Sequence, residues 1–446
     1  MAKVRLKIPR SCTSFSLNLI GLIVYLITIH YLKTHGIDVF WNTIISIAAL
    51  AITIIILEKL FLKRYHRISS GISFSNRNRI RPGRVLIKLL GLYITLGLAV
   101  LYYVLFPEYH SGFYYNYFRL AKYVLPIILI GSIPYFILLD RFMKDPYDSH
   151  WHVGMVMLGQ WKKADKFALK NHFLGWLVKV FFLALMFTYL IQNTNYLMYN
   201  NLPQPKYNFS QFYDYMYNLI FAIDLVYVCA GYLLTLKILD SHIRTTEPSV
   251  LGWMAALACY QPFWSLIFNQ YLHYDNGYYW GNLFGDHPAA YKLWGSVILL
   301  LFIVYILATI VFGVRFSNLT NRGIITNGPY RFIKHPAYIS KNLAWWLISI
   351  PFISNAGVFQ AITHSALLLG LNTIYYLRAI TEERHLSLDP VYVEYATAMN
   401  ERGIFSGLYK LLPFLKYDVN KYIQNDTYKS LFLTHKPKDR NKRQFY

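Results

Sequence analysis

Two segments near the C-terminal end of this 446-residue chain carry side chains able to do chemistry together. The first is residues 322–342, RGIITNGPYRFIKHPAYISKN, where Tyr330, His335 and Tyr338 stand beside Arg331 and Lys334. Gly328-Pro329 is a turn signal. Pro336 suits the first position of a helix, where its missing N–H costs nothing. The free N–H groups of that helix end favour a carboxylate or another anion. The second segment is residues 378–395, RAITEERHLSLDPVYVEY, with the acidic pair Glu382-Glu383.

Positioning these groups falls to two apolar runs, 337–354 and 359–379, joined by a short turn near Asn355. Their lengths predict an antiparallel helical hairpin. Such a hairpin returns Glu382 and Glu383 to the face that carries His335, so the two clusters are expected to meet in space.

The order Gly328-Pro329-Tyr330-Arg331, Lys334-His335-Pro336-Ala337-Tyr338, a hairpin, Glu382-Glu383-Arg384-His385-Leu386 and then Tyr392 to Tyr395 resembles the isoprenylcysteine carboxyl methyltransferase and phospholipid methyltransferase superfamily over about residues 290–410. The resemblance implies an integral-membrane enzyme that uses S-adenosylmethionine at the cytoplasmic membrane boundary. It implies an amphiphilic acceptor, a lipid or prenylated group, entering from the bilayer. It also implies a cofactor site at Tyr330, His335, Pro336, Tyr338, Glu382 and Glu383. Carboxylates there suit ribose hydroxyls, an ammonium or the sulfonium, and N–H groups suit the cofactor's carboxylate. Aromatic faces suit adenine or the cation. Methyl transfer is an in-line displacement that depends on alignment, so no catalytic base is assigned; Arg331 is the residue expected to orient an acceptor carboxylate or phosphate. The chain departs from the family pattern at Lys334, where Arg is usual, at Ser340, where a Gly is frequent, and at Gly403-Ile404-Phe405, which replaces a terminal Pro motif.

The rest of the chain reads as membrane. Hydrophobic residues make up 56% and charged ones only 15%, against roughly 25% charged in an ordinary soluble domain. Apolar runs of about 20 residues, the length a spanning helix needs, occur near 15–32, 40–57, 86–106, 122–139, 172–191, 216–237, 251–271, 292–314, 337–354 and 359–379. The expected fold class is therefore all-α, a polytopic transmembrane bundle of about ten spans with the hairpin as its C-terminal core. A soft boundary near 290 divides it into a seven-span region, 1–290, a methyltransferase-like core, 291–416, and a basic tail, 417–446. The net charge is +23, but Lys and Arg cluster in alternate loops, after the second, fourth and eighth runs. That pattern places those loops and both termini in the cytoplasm and makes anionic lipid, rather than nucleic acid, the partner of the basic residues. Residues 151–170 read as an amphipathic helix on the membrane surface.

Other groups carry less. Cys12, Cys229 and Cys259 form no disulfide framework or metal spacing. Asp145, Asp148, His150 and His152, and separately His273, Asp275, Asp286 and His287, lack clean ligand spacing, so no metal is expected. Asp224 lies inside a span, where a carboxylate is either functional or held by a neighbouring helix. Lys179 is expected to snorkel to the cytoplasmic boundary, His364 to bond between helices rather than line a substrate tunnel, and Pro262 to kink the seventh span. Competing functions are an NADPH-dependent sterol or isoprenoid reductase and a lipid transporter. Neither a G-W-W with R-H-x-N-Y pattern nor matched broken helices occurs in the sequence.

Overall fold

Long apolar runs satisfy their own backbone by forming helices, the one open structure that hydrocarbon tolerates. The computed structural model describes residues 7–62, 69–75, 77–275 and 279–423. Among these, seven helices are long and apolar enough to cross a membrane. They are α1 (Phe15–Thr34), α2 (Val39–Phe61), α3 (Pro82–Leu105), α4 (Tyr115–Phe142), α6 (Lys166–Tyr199), α7 (Phe209–Leu233) and α11 (Pro288–Ile310). Short helices intervene: α5 (Ser149–Met157), α8 (Val250–Leu257), α9 (Phe263–Gln270) and α10 (Trp280–Phe284). The C-terminal series is α12 (Pro336–Ser349), α13 (Val358–Leu386), α14 (Pro390–Arg402) and α15 (Val419–Ile423). Two dipeptide strands, β1 (Thr245–Thr246) and β2 (Thr320–Asn321), pair antiparallel, Thr245 opposite Asn321. The fold is an all-α polytopic bundle.

Three expectations are corrected. The run 251–271 is broken into α8 and α9, with Pro262 capping α9; eight residues of helix reach only roughly 12 Å. The run 337–354 supplies α12, whose 14 residues span about 21 Å, short of the ~30 Å hydrocarbon core. Residues 151–170 do not form one surface helix. Gly159, at φ +72°, ends α5, and Asp165 starts α6 by accepting from the N–H groups of Phe167 (3.3 Å) and Ala168 (2.9 Å). The exposed Met157, Leu158 and Trp161 of that turn keep an apolar surface there. The tail beyond Ile423 lies outside the described residues.

α6 and α7 form the centre. Of their most apolar windows 61% and 67% is buried, against 28% for α1 and 22% for α4, so the latter are peripheral. Phe182, Phe187 and Leu190 of α6 share one core with Val226 and Tyr227 of α7, Phe302 of α11 and Ala344 of α12. That core runs across residue 290 without a gap. Backbones also meet closely. A Cβ on Gly91 of α3 would lie 2.0 Å from the His150 carbonyl oxygen, and one on Gly154 of α5 2.1 Å from that of Ile87.

Polar pairs gather at one end of the bundle. Arg315, after α11, donates to Glu58 at the end of α2 (2.9 Å). Arg84, opening α3, pairs with Asp140 at the end of α4, one N···O distance being 2.9 Å. Arg322 spends its guanidinium on the carbonyls of Ser241 (2.7 Å), Gly231 (2.8 Å) and Phe316 (2.8 Å). Residues 8–14 run across this end: Pro9 O accepts from the Thr326 hydroxyl (2.7 Å), and the Thr13 hydroxyl donates to Val311 O (2.6 Å).

Candidate active site

The chain arrives at the site from α11 through the loop 311–335. Gly328 opens a short 3-10 turn over Gly328–Arg331. It needs φ +56°, and a Cβ there would sit 2.4 Å from the Val311 side chain. α12 then starts with Pro336 at its first position, as the sequence implied. A left-handed Ile350, φ +34°, closes it, and α13 returns antiparallel. The hairpin delivers the acidic pair beside His335.

These elements enclose a cavity of about 160 Å³. Tyr330, His335, Tyr338 and Glu382 line it. The Tyr338 hydroxyl donates to Glu382 (2.6 Å), and its ring stacks on the His335 imidazole at 5.5 Å and 7°. The remaining expected residues stand elsewhere. Pro336 is buried in the helix start. Arg331 is exposed and does not reach the cavity wall. Glu383 does not line the cavity; its carboxylate receives Lys334 Nζ (2.8 Å), His335 Nε2 (3.0 Å) and the Tyr422 hydroxyl (3.1 Å). Burial raises the Glu383 carboxyl, but the His335 hydrogen bond and the Lys334 ammonium outweigh it and bring it down to about 2. Glu383 therefore works as a clamp between α13, the α12 entry and the C-terminal segment.

Further groups complete the walls. Arg378 lies one helical turn before Glu382, and its guanidinium donates to the Asn318 side chain (2.6 Å) and lies 5.2 Å from the Tyr338 ring centre and 5.5 Å from that of Tyr260. Lys341 approaches the Tyr305 ring at 5.5 Å. Tyr305 and Thr309 each donate to Asp224 at 2.7 Å, so this intramembrane carboxylate is held by a neighbouring helix. Tyr392 and Tyr395 of α14 line the inner wall, and the Tyr395 hydroxyl donates to Tyr330 O (2.7 Å). Burial, then the nearby Glu382, pushes the Tyr330 phenol well above its ordinary value. Burial, then Glu383 and Glu382, does the same to Tyr392. Both are hydrogen-bond donors at neutral pH, not bases. Arg378 was discoverable from its i, i+4 spacing to Glu382 on one helix face. Nothing in the sequence marks Tyr260, Asn318 or Tyr305, which arrive from other elements.

The donor set suits a zwitterionic, aromatic-bearing cation: a carboxylate, stacked and edge-on tyrosines, a guanidinium and a helix start share one wall. Among the described residues no group of three or more His, Cys, Asp or Glu is arranged to hold a metal. Residues 293–388 match the model of the isoprenylcysteine carboxyl methyltransferase family; no curated protein and no solved structure matches the chain. The matched segment contains most of α11, all of α12 and α13 and the loop carrying His335, which makes this a methyltransferase-family segment set in a membrane bundle.

Proposed function

We propose that this chain, as the bearer of that methyltransferase-family segment, transfers a methyl group from S-adenosylmethionine to a lipid or lipidated acceptor at the cytoplasmic membrane boundary. The observation that carries the reading is the single cavity shared by Tyr330, His335, Tyr338 and Glu382, from both halves of the family segment. Bound there, S-adenosylmethionine supplies an electrophilic methyl on a sulfonium. Glu382, fixed by Tyr338, would hold the cofactor's hydroxyl or ammonium groups. The tyrosine faces would hold its base and offset the sulfonium charge. Arg378, already braced by Asn318, would orient an anionic acceptor, the role that the exposed Arg331 is badly placed to fill. Alignment of the acceptor, rather than proton transfer, is what these groups contribute. An amphiphilic acceptor fits an active site set among spans, with the exposed apolar flank of α13, Phe359, Ile362 and Leu369, turned outward.

The test is calorimetric titration of the detergent-purified protein with S-adenosylmethionine, beside Glu382→Gln. Saturable binding is expected, weakened at least about tenfold in the variant, the worth of one charge-assisted hydrogen bond. A folded wild type that binds no S-adenosylmethionine defeats the proposal.

A further inference from the structure

A second cavity, of about 110 Å³, lies between α4, α5, α6 and the segment 235–243 that follows α7. It is separate from the first and plays no role in the proposed methyl transfer. Its polar lining is unusual for its charge. Lys179 and Lys237 both face it, and among the described residues neither has a carboxylate within ion-pair distance. The Lys179 ammonium instead lies 3.4 Å from the centre of the Trp176 ring. The lining contributes one carboxylate, Asp148. That group is already used: Lys88 Nζ approaches it at 3.5 Å from behind, His150 Nδ1 lies 3.9 Å away, and it caps α5 by accepting from Trp151 N (3.2 Å).

Two imidazoles add donors. His150 lies edge-on to the His172 ring at 4.9 Å, and His172 is itself fixed by Ser149 (3.0 Å) and Thr95 (2.9 Å). The Nδ1 of His242 is buried without a hydrogen bond, 3.9 Å from Asp240. Burial lowers His150 to about 4, Asp148 opposing, and lowers His242 to about 3, helped by Lys237. Both rings are neutral at neutral pH, so each has one N–H to give. Burial also pulls the Lys237 ammonium below its ordinary value, against Asp148.

A partly buried ammonium with no carboxylate in ion-pair contact is costly, and the Lys88 charge further opposes that of Lys237. A compact anion with several acceptor oxygens reverses both effects, and lysine is a common point-charge binder of phosphate. We propose that this cavity binds a phosphate group, with Lys179 and Lys237 as its cationic walls and His150 and His242 as donors. The phosphate is carried by a lipid headgroup or is free in solution; the chemistry is shared.

The experiment uses the full chain in detergent at raised salt, where exposed basic loops are screened. Native mass spectrometry and thermal unfolding are followed with inorganic phosphate, with phosphatidic acid and with diacylglycerol, which has the tails and no phosphate. One saturable equivalent of inorganic phosphate with a raised melting temperature identifies a free anion. Binding of phosphatidic acid but not of inorganic phosphate or diacylglycerol identifies a headgroup. Either is expected to weaken at least about tenfold in Lys179→Met/Lys237→Met and to persist in Lys179→Arg/Lys237→Arg, because charge supplies the attraction. Diacylglycerol binding as well as phosphatidic acid, binding of no phosphate species by the wild type, or equal affinity in the methionine variant overturns the proposal. None of these readouts involves methyl transfer, so this site and the proposed reaction fail separately.

Discussion

Successive side chains on a helix point about 100° apart, and that angle divides the acidic pair on α13. Glu382 faces the cavity, while Glu383 is buried among Lys334, His335 and Tyr422. Glu383→Ala is expected to destabilise the protein by about 3–5 kcal/mol, because it strands a buried lysine, as measured by chemical unfolding in detergent. Glu382→Gln should leave unfolding within about 1 kcal/mol and act on cofactor affinity instead. The clamp also sets an acid limit. The Glu383 carboxyl falls from its ordinary 4.5 to about 2 in the folded state, so its stabilisation is complete above 4.5. It is lost as pH drops from there toward 2. A melting temperature followed from pH 6 to pH 3 should fall in the wild type more steeply than in Glu383→Gln. The types and spacing in the sequence brought His335, Tyr338 and the acidic pair together correctly. They did not separate the roles of the two glutamates, since both sit at the same helix end. Arg331 was grouped with its neighbours by proximity in sequence, and the 3-10 turn Gly328–Arg331 leaves it exposed.

Hydropathy finds apolar runs but not their interruptions. The run 251–271 is as apolar as a span, yet it turns at Pro262 into two helices. Proline cannot donate to the preceding turn, and the sequence announced only a kink there. α5 and α6 are likewise divided by an aspartate cap at Asp165, a local signal inside what otherwise looks like one amphipathic run. Glycine spacing, by contrast, gave no warning of the contact between α3 and α5. Gly91→Ala is expected to cost about 1–3 kcal/mol, since the methyl would meet a backbone carbonyl that cannot yield. Gly97→Ala on the same helix meets nothing within 4 Å and should be neutral or stabilising by up to about 1 kcal/mol. Thermal unfolding of the two variants side by side distinguishes them.

Across the whole molecule, the family segment is fastened to the first residues of the chain. Asn18 of α1 donates to Ile310 O (2.8 Å) and Val311 O (3.1 Å), and Tyr227 of α7 donates to Asn18 O (2.6 Å). Asn18→Leu should destabilise by about 1–3 kcal/mol, the cost of unsatisfied buried carbonyls. It should also weaken S-adenosylmethionine binding through the loop 311–335, a joint effect to be checked by unfolding and titration on one preparation. A polytopic helical protein with its family-matching segment toward the C-terminal end was legible in the sequence. This fastening was not, because hydrogen bonds between residues some 300 positions apart leave no periodicity behind.

The N-terminal strap also constrains how the protein is made and handled. Residues 8–14 precede their partners at Val311, Ile324 and Thr326 by some 300 positions, so they are synthesised well before those partners. Until then the strap has nothing to lie on. A gene fragment beginning at α11 would display carbonyls that the strap and Asn18 normally cover. A minimal version of the protein would have to carry its own replacement for that cover.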